Sequence, residues 1–308
     1  VTDSSPVIPA ANPLGRGVVV SVLASVLFGF LYYFSTLLHP LSGEDVFGWR
    51  MTATFPFMTL FLVLSGQWGM VWDAVRRVAG NWRLIPVVLF TSTMMGFQLW
   101  IFLWGPVVGR ALPVSQGYFL LPLVMVVVGR VLYKDKLTVL QLCAALLAAV
   151  GVGHELIATG GLSWETMLVA FGYPLYFIVR RHFKTDNLGG LWMDMALIFP
   201  VAIAFVVFGQ AGFGVFGEHP DLYWKIVVLG AVSAAALSCY ILASKYLDFS
   251  LFGLLSYLEP VLLLVVALLL GETIKGEEWF TQAPIWVAVG LLAVDGVRQV
   301  LARRKRIV

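Results

Sequence analysis

Charged side chains are scarce in this chain. Asp, Glu, Lys and Arg make up 12% of its 308 residues, against about 25% in an ordinary soluble domain. A water-soluble protein needs a polar outer face, so this composition excludes one. Cysteine is nearly absent. Cys143 and Cys239 both fall in apolar runs, where they act as small buried hydrophobes and not as a disulfide framework. Four histidines occur, with no metal-ligand spacing and no nucleophile–base cluster, and no phosphate-binding loop is present. Metal and cofactor sites, enzymatic catalysis and unaided ATP-driven pumping are therefore not expected.

What remains is apolar. Hydrophobic residues are 60% of the chain and mean hydropathy is +0.91. Alternating ten-residue segments of the barrel type are missing, so the fold class is an all-α integral membrane protein. Apolar stretches of helical length fall near 17–38, 46–65, 84–104, 111–132, 137–157, 163–180, 188–209, 222–243, 249–270 and 280–300. This makes ten transmembrane helices, each close to the roughly 20 residues that cross a bilayer. With the N-terminus cytoplasmic, sixteen basic residues fall on the inner side and three, Arg110, Lys225 and Lys275, on the outer side. That bias places both termini in the cytoplasm and explains the net charge of +3 without nucleic acid. Residues 1–16 read as a disordered cytoplasmic lead lacking the basic start of a signal peptide. Residues 301–308 read as a basic cytoplasmic tail anchored near anionic lipid.

The chain also repeats itself. "FGFLYY" at 28–33 matches "FGYPLY" at 171–176, an offset of 143 that also pairs His39 with His182 and Trp49 with Trp192. "LPLVMVVVGRVLYKD" from Leu121 lies over "EPVLLLVVALLLGET" from Glu259, an offset of 138. Two five-helix repeats follow, 17–157 and 163–300. Because five is odd, the second is inverted, the arrangement that underlies alternating access.

"FGWRM" at 47–51, "FQLWIFLWG" at 97–105, "ALPVSQGYFLLPLVMVVVGRVLYKDKLTVLQ" at 111–141, "SLFGLLSYLEPVLLLVVALLLGETI" at 250–274 and "APIWVAVGLLAVDGV" at 283–297 resemble EamA-type proteins of the drug/metabolite transporter superfamily, in the RarD-like branch. The similarity covers nearly the whole chain after residue 16. It implies a multi-pass protein of the bacterial cytoplasmic (inner) membrane that exports amino acids, drugs or other metabolites. Some relatives export nicotianamine-like metallophores. Where RarD-like proteins usually carry His-Arg this chain has Trp49-Arg50, and Gln98 stands near their usual asparagine.

Arg50 is the one basic residue that neither the loops nor the tail accounts for. It either snorkels to the headgroups or faces the bundle interior and clamps a carboxylate. Asp194, near its repeat-equivalent position, either supplies the matching anion for a zwitterion or stays wet at the cytoplasmic interface. Glu259 lies deeper, beside Pro260, which opens the helix locally. Its carboxyl either carries a proton during exchange or makes a structural bond across the break. Phe30, Tyr33, Gln98, Trp100, Gln116, Tyr118, Tyr173, Tyr176, Tyr240 and Tyr257 are candidates for the cavity wall, or for packing and interface positions. Gly29 and Gly172 suit close helix approach, and Glu272 suits an outer-face cap.

The expected function is secondary active export of a small polar, zwitterionic or anionic metabolite by alternating access, with proton coupling left open. Metallophore export and lipid translocation are the alternatives. The partners are a small-molecule substrate, membrane lipid and, if coupled, protons; the assembly is a monomer or a homodimer.

Overall fold

The computed structural model describes residues 13–107, 110–158, 161–211, 214–269, 276 and 279–304. Most of the expected lead, the last four residues of the tail, Glu272 and Lys275 lie outside them. The chain is helical: α1 (Pro13–Ser35), α2 (Gly43–Leu64), α3 (Trp68–Gly80), α4 (Ile85–Val107), α5 (Ala111–Leu132), α6 (Val139–Ala158), α7 (Trp164–His182), α8 (Leu188–Phe208), α9 (Val215–Glu218), α10 (Leu222–Tyr246), α11 (Phe249–Leu255), α12 (Leu258–Leu269) and α13 (Trp279–Arg304). Among the described residues seven helices are long and apolar enough to cross a membrane: α1, α2, α4, α5, α6, α8 and α10. α1 begins four residues earlier than the sequence pattern places it, inside the expected lead.

Polar side chains set several helix starts. Ser42 caps α2 in a reciprocal pair with Asp45, Ser163 caps α7 through the Thr166 N–H, and Asn187 caps α8 through the Gly190 N–H. Each satisfies backbone donors that have no intrahelical partner. Proline lies within α2, α5, α7, α8 and α13, where neighbouring helices in a bundle can absorb the lost bond. The expected ninth span is broken: α11 stops at Leu255, Ser256 and Tyr257 turn, and α12 restarts at Leu258. Pro260 then stands in the first turn of α12, where its missing N–H leaves no donor unmatched.

α1 packs on α10, α2 on α8 and α10, α4 on α7 and α8, α5 on α7 and α11, and α6 on α13. Close approach is built in where α10 crosses α2: a Cβ at Gly230 would lie 2.5 Å from Ala53 Cβ. The main core runs through α1, α2, α4, α7, α8 and α10, and a smaller one joins α5, α6 and α13.

The loops sort to two ends. At one, Arg77 donates to Lys184 O, Arg181 to Leu247 O, the Ser250 N–H to Asp135, and Thr138 to Asp295. At the other, Lys225 donates to Leu37 O, Arg110 pairs with Glu165, and the Ala211 N–H faces Asp45. Most loop cations gather at the first, basic end.

Candidate functional site

In the middle of the bundle, α1, α2, α4, α5, α7, α10 and α12 enclose a small pocket. Arg50 and Glu259 bring the charge; Phe28, Phe102, Tyr118, Tyr173 and Tyr240 bring rings. Tyr173 stands 6.3 Å from Tyr118 and 6.2 Å from Tyr240 between ring centroids, and Phe28 meets Tyr240 edge-on at 5.8 Å. The free space is about 20 Å³, enough for one water and too little for a metabolite. In this conformation the aromatic walls close on one another.

Arg50 lies seven residues into α2, about 10 Å along its axis. It is 3% exposed, so its guanidinium stays inside the bundle and does not reach the membrane surface. Its Nε donates to Ser233 Oγ of α10 at 2.9 Å, which leaves the fork's outer N–H groups for the pocket. Glu259 comes from the first turn of α12, just past the helix break. The two charges share the pocket without a direct ion pair.

Asp194 is placed elsewhere. It is 1% exposed and forms an ion pair with Arg180, equally buried. The Tyr176 hydroxyl donates to the same carboxylate at 2.9 Å, and the hydroxyls of Thr91 and Ser92 reach its other oxygen at 2.8 and 3.0 Å. Arg180 further donates to Tyr176 Oη and to the carbonyls of Thr185 and Asn187. Asp194 is thus neither wet nor beside Arg50.

The other expected wall residues divide. Tyr118, Tyr173 and Tyr240 line the pocket. Phe30 and Tyr33 are 41% and 40% exposed, one helical face away from Phe28, which does line it. Gln98 is buried and donates to Leu168 O at 2.7 Å, its amide filling the space left by Gly172. Gln116 faces the Thr166 hydroxyl. Tyr257 sits in the smaller core, its hydroxyl without a partner among the described residues. Trp100 lines a lateral apolar groove of about 540 Å³ between α2, α4 and α8, with Phe47, Phe97 and Phe205. Cys143 and Cys239 are free thiols.

Sequence pattern missed Arg180. In "FIVRRH" it reads as one more basic loop residue. The available signal was the spacing from Tyr176, four residues earlier and on the same helical face. Phe28 and Phe102 were also missed, because an apolar ring carries no mark that separates wall from core.

Among known proteins, the chain is 42% identical over 293 residues to an uncharacterised transporter of Pasteurella multocida, covering 94% of this chain and 98% of that one. It is 40% identical over 293 residues to the chloramphenicol-sensitive protein RarD of Pseudomonas aeruginosa, covering 95% and 98%. No family model matches. A crystal structure at 16% sequence identity superposes with a TM-score of 0.64, covering 92% of this chain and 98% of the other, and so shares the fold. Several long apolar helices and relatives of this similarity over almost their full length identify a secondary transporter, not an enzyme, of the bacterial inner membrane. The chain belongs to the RarD-like transporters of the EamA branch in the drug/metabolite transporter superfamily.

Proposed function

We propose that this transporter exports a small zwitterionic or anionic metabolite, held between Arg50 and Glu259, by alternating access of two inverted five-helix halves. The observation that carries this reading is the pairing of opposite charges across one pocket: Arg50 comes from α2 in the first half and Glu259 from α12 in the second. The guanidinium fork suits a substrate carboxylate, Glu259 suits an ammonium group or a proton, and the tyrosines supply apolar area together with hydroxyl groups.

Paired contacts support the inverted halves. With 17–157 as one repeat and 163–300 as the other, α2 meets its own counterpart α8, α5 meets α11, and α6 meets α13. The α1–α10 contact is mirrored by α7–α4, and α2–α10 by α8–α4. Trp49 packs against Phe216 of α9, while its repeat partner Trp192 packs against Trp68 of α3. Ten spans with both termini cytoplasmic satisfy these pairings, and the loop cations then gather at the inner end.

Export is tested in everted vesicles or proteoliposomes with labelled amino acids, a nicotianamine-like chelator and chloramphenicol, the last chosen for the relative's name. Saturable uptake of one class, lost in Arg50→Gln and Glu259→Gln, is the expected result. Uptake unchanged in both variants would sink the reading. Lipid translocation is the second reading, favoured by the lateral groove between α4 and α8. Scrambling of a labelled phospholipid in the same liposomes, without solute uptake, would replace the first reading with this one.

A further inference from the structure

A second cavity, of about 200 Å³, opens at the basic end, between α3, α4, α7, α8 and the end of α10. This is more than ten times the roughly 10–15 Å³ that one water requires. Its charged lining is Asp73, Arg77, Arg180, Lys184, Asp194 and Lys245. Asp194 is neutralised by Arg180 at the floor, so three cations face one acid.

Like charges from three separate segments have been brought around one concavity. Arg77 is tied by its guanidinium to Lys184 O at 3.0 Å, which links α3 to the turn between α7 and α8. Lys245 comes from the last turn of α10. At the floor Arg180 is 1% exposed, and its Nε has no hydrogen-bond partner among the described residues. A buried guanidinium with a spare donor beneath clustered cations is a site whose electrostatics are completed by an anion. The N-terminus of α8 at Asn187 and Gly190 adds the positive end of its dipole to the same cavity.

We propose that this cavity binds a phosphate-type oxyanion, separate from the central pocket. The Arg77 fork and the two ammonium groups match an anion with several acceptor oxygens. The same chemistry is offered by free phosphate or a phosphomonoester and by the phosphate of an anionic lipid headgroup, because the cavity lies at the proposed cytoplasmic end.

The test uses the full-length protein in nanodiscs of phosphatidylcholine, with inorganic phosphate titrated at constant ionic strength and thermal stability as the readout. A parallel series replaces phosphatidylcholine stepwise with phosphatidylglycerol. A saturable rise in Tm with phosphate identifies the soluble anion; a saturable rise only with phosphatidylglycerol identifies the headgroup; either supports the site. In Lys184→Gln/Lys245→Gln the apparent affinity falls by about tenfold or more. In Arg50→Gln, whose substitution lies in the central pocket, the response is retained. Absence of a saturable response in both series overturns the proposal. So does an equal response in wild type and the double variant. If the double variant fails to fold, the single Lys245→Gln variant at the rim is used, and the same two outcomes decide.

Discussion

Ser233 holds Arg50 by its Nε alone, so the paired terminal N–H groups of the guanidinium stay free to meet a planar carboxylate. Arg50→Lys keeps the charge and removes that fork. The expected outcome is a rise in transport KM of about tenfold or more, measured by initial uptake rates, with little change in the amount of folded protein. The Asp194–Arg180 pair behaves differently, because protein partners hold the carboxylate and both terminal nitrogens of the guanidinium, while Arg180 Nε has none among the described residues. Asp194→Asn leaves the Arg180 charge buried and unmatched, and stability falls by about 3–5 kcal/mol. Thermal unfolding in detergent checks this, and a variant that unfolds at the wild-type temperature contradicts it. At this scale the charges were partly legible. Arg50 and Glu259 stand out as ionisable groups in apolar runs, and both line the pocket. Asp194 stands out equally, yet its partner Arg180 is hidden in a basic run, so the pattern drew Asp194 toward the wrong arginine.

Among the elements, the break between α11 and α12 matters most, since it delivers Glu259 to the pocket from a fresh helix start. Pro260 cannot donate to the Ser256 carbonyl, which instead accepts from the Glu259 N–H at 3.2 Å. Pro260→Ala restores the donor and favours one continuous helix. The expected result is a Tm equal to or above wild type with a severalfold lower transport rate; unchanged transport would show that the break serves packing alone. Gly172 is the second test, because the Gln98 amide occupies the space of its absent side chain. Gly172→Val displaces the Gln98 amide from its bond to Leu168 O and destabilises by about 1–3 kcal/mol, read from thermal unfolding. Proline chemistry made the break legible in the sequence. α3 was not legible as a helix, because its tryptophans and arginines, with Arg76 over the Trp72 ring at 5.0 Å, look from composition like an ordinary basic loop. Its exposed Trp68 and Trp72, four residues apart on one helical face, suit the membrane interface.

For the whole molecule, the long apolar helices and the weak repeat were legible because hydrophobic length and internal similarity are properties of the chain itself. The closed state of the central pocket was not, because it depends on how Tyr118, Tyr173 and Tyr240 pack across three helices. The same limit applies to the groove between α4 and α8. Orientation stands between these cases: the loop cations do gather at one end of the bundle, and the proposal that this end faces the cytoplasm rests on the positive-inside rule. With Cys143 and Cys239 replaced by alanine, a single cysteine at Arg83, beside α3, is expected to resist a membrane-impermeant maleimide in intact cells and to react after permeabilisation. A single cysteine at Glu218, on the exposed end of α9, is expected to react in both. Labelling in the reverse order would invert the bundle and place the basic cavity outside the cell, where a cytoplasmic anion or inner-leaflet lipid could not reach it. The phosphate response of the purified protein would survive that reversal, so the two measurements together separate the existence of the anion site from the side of the membrane it serves.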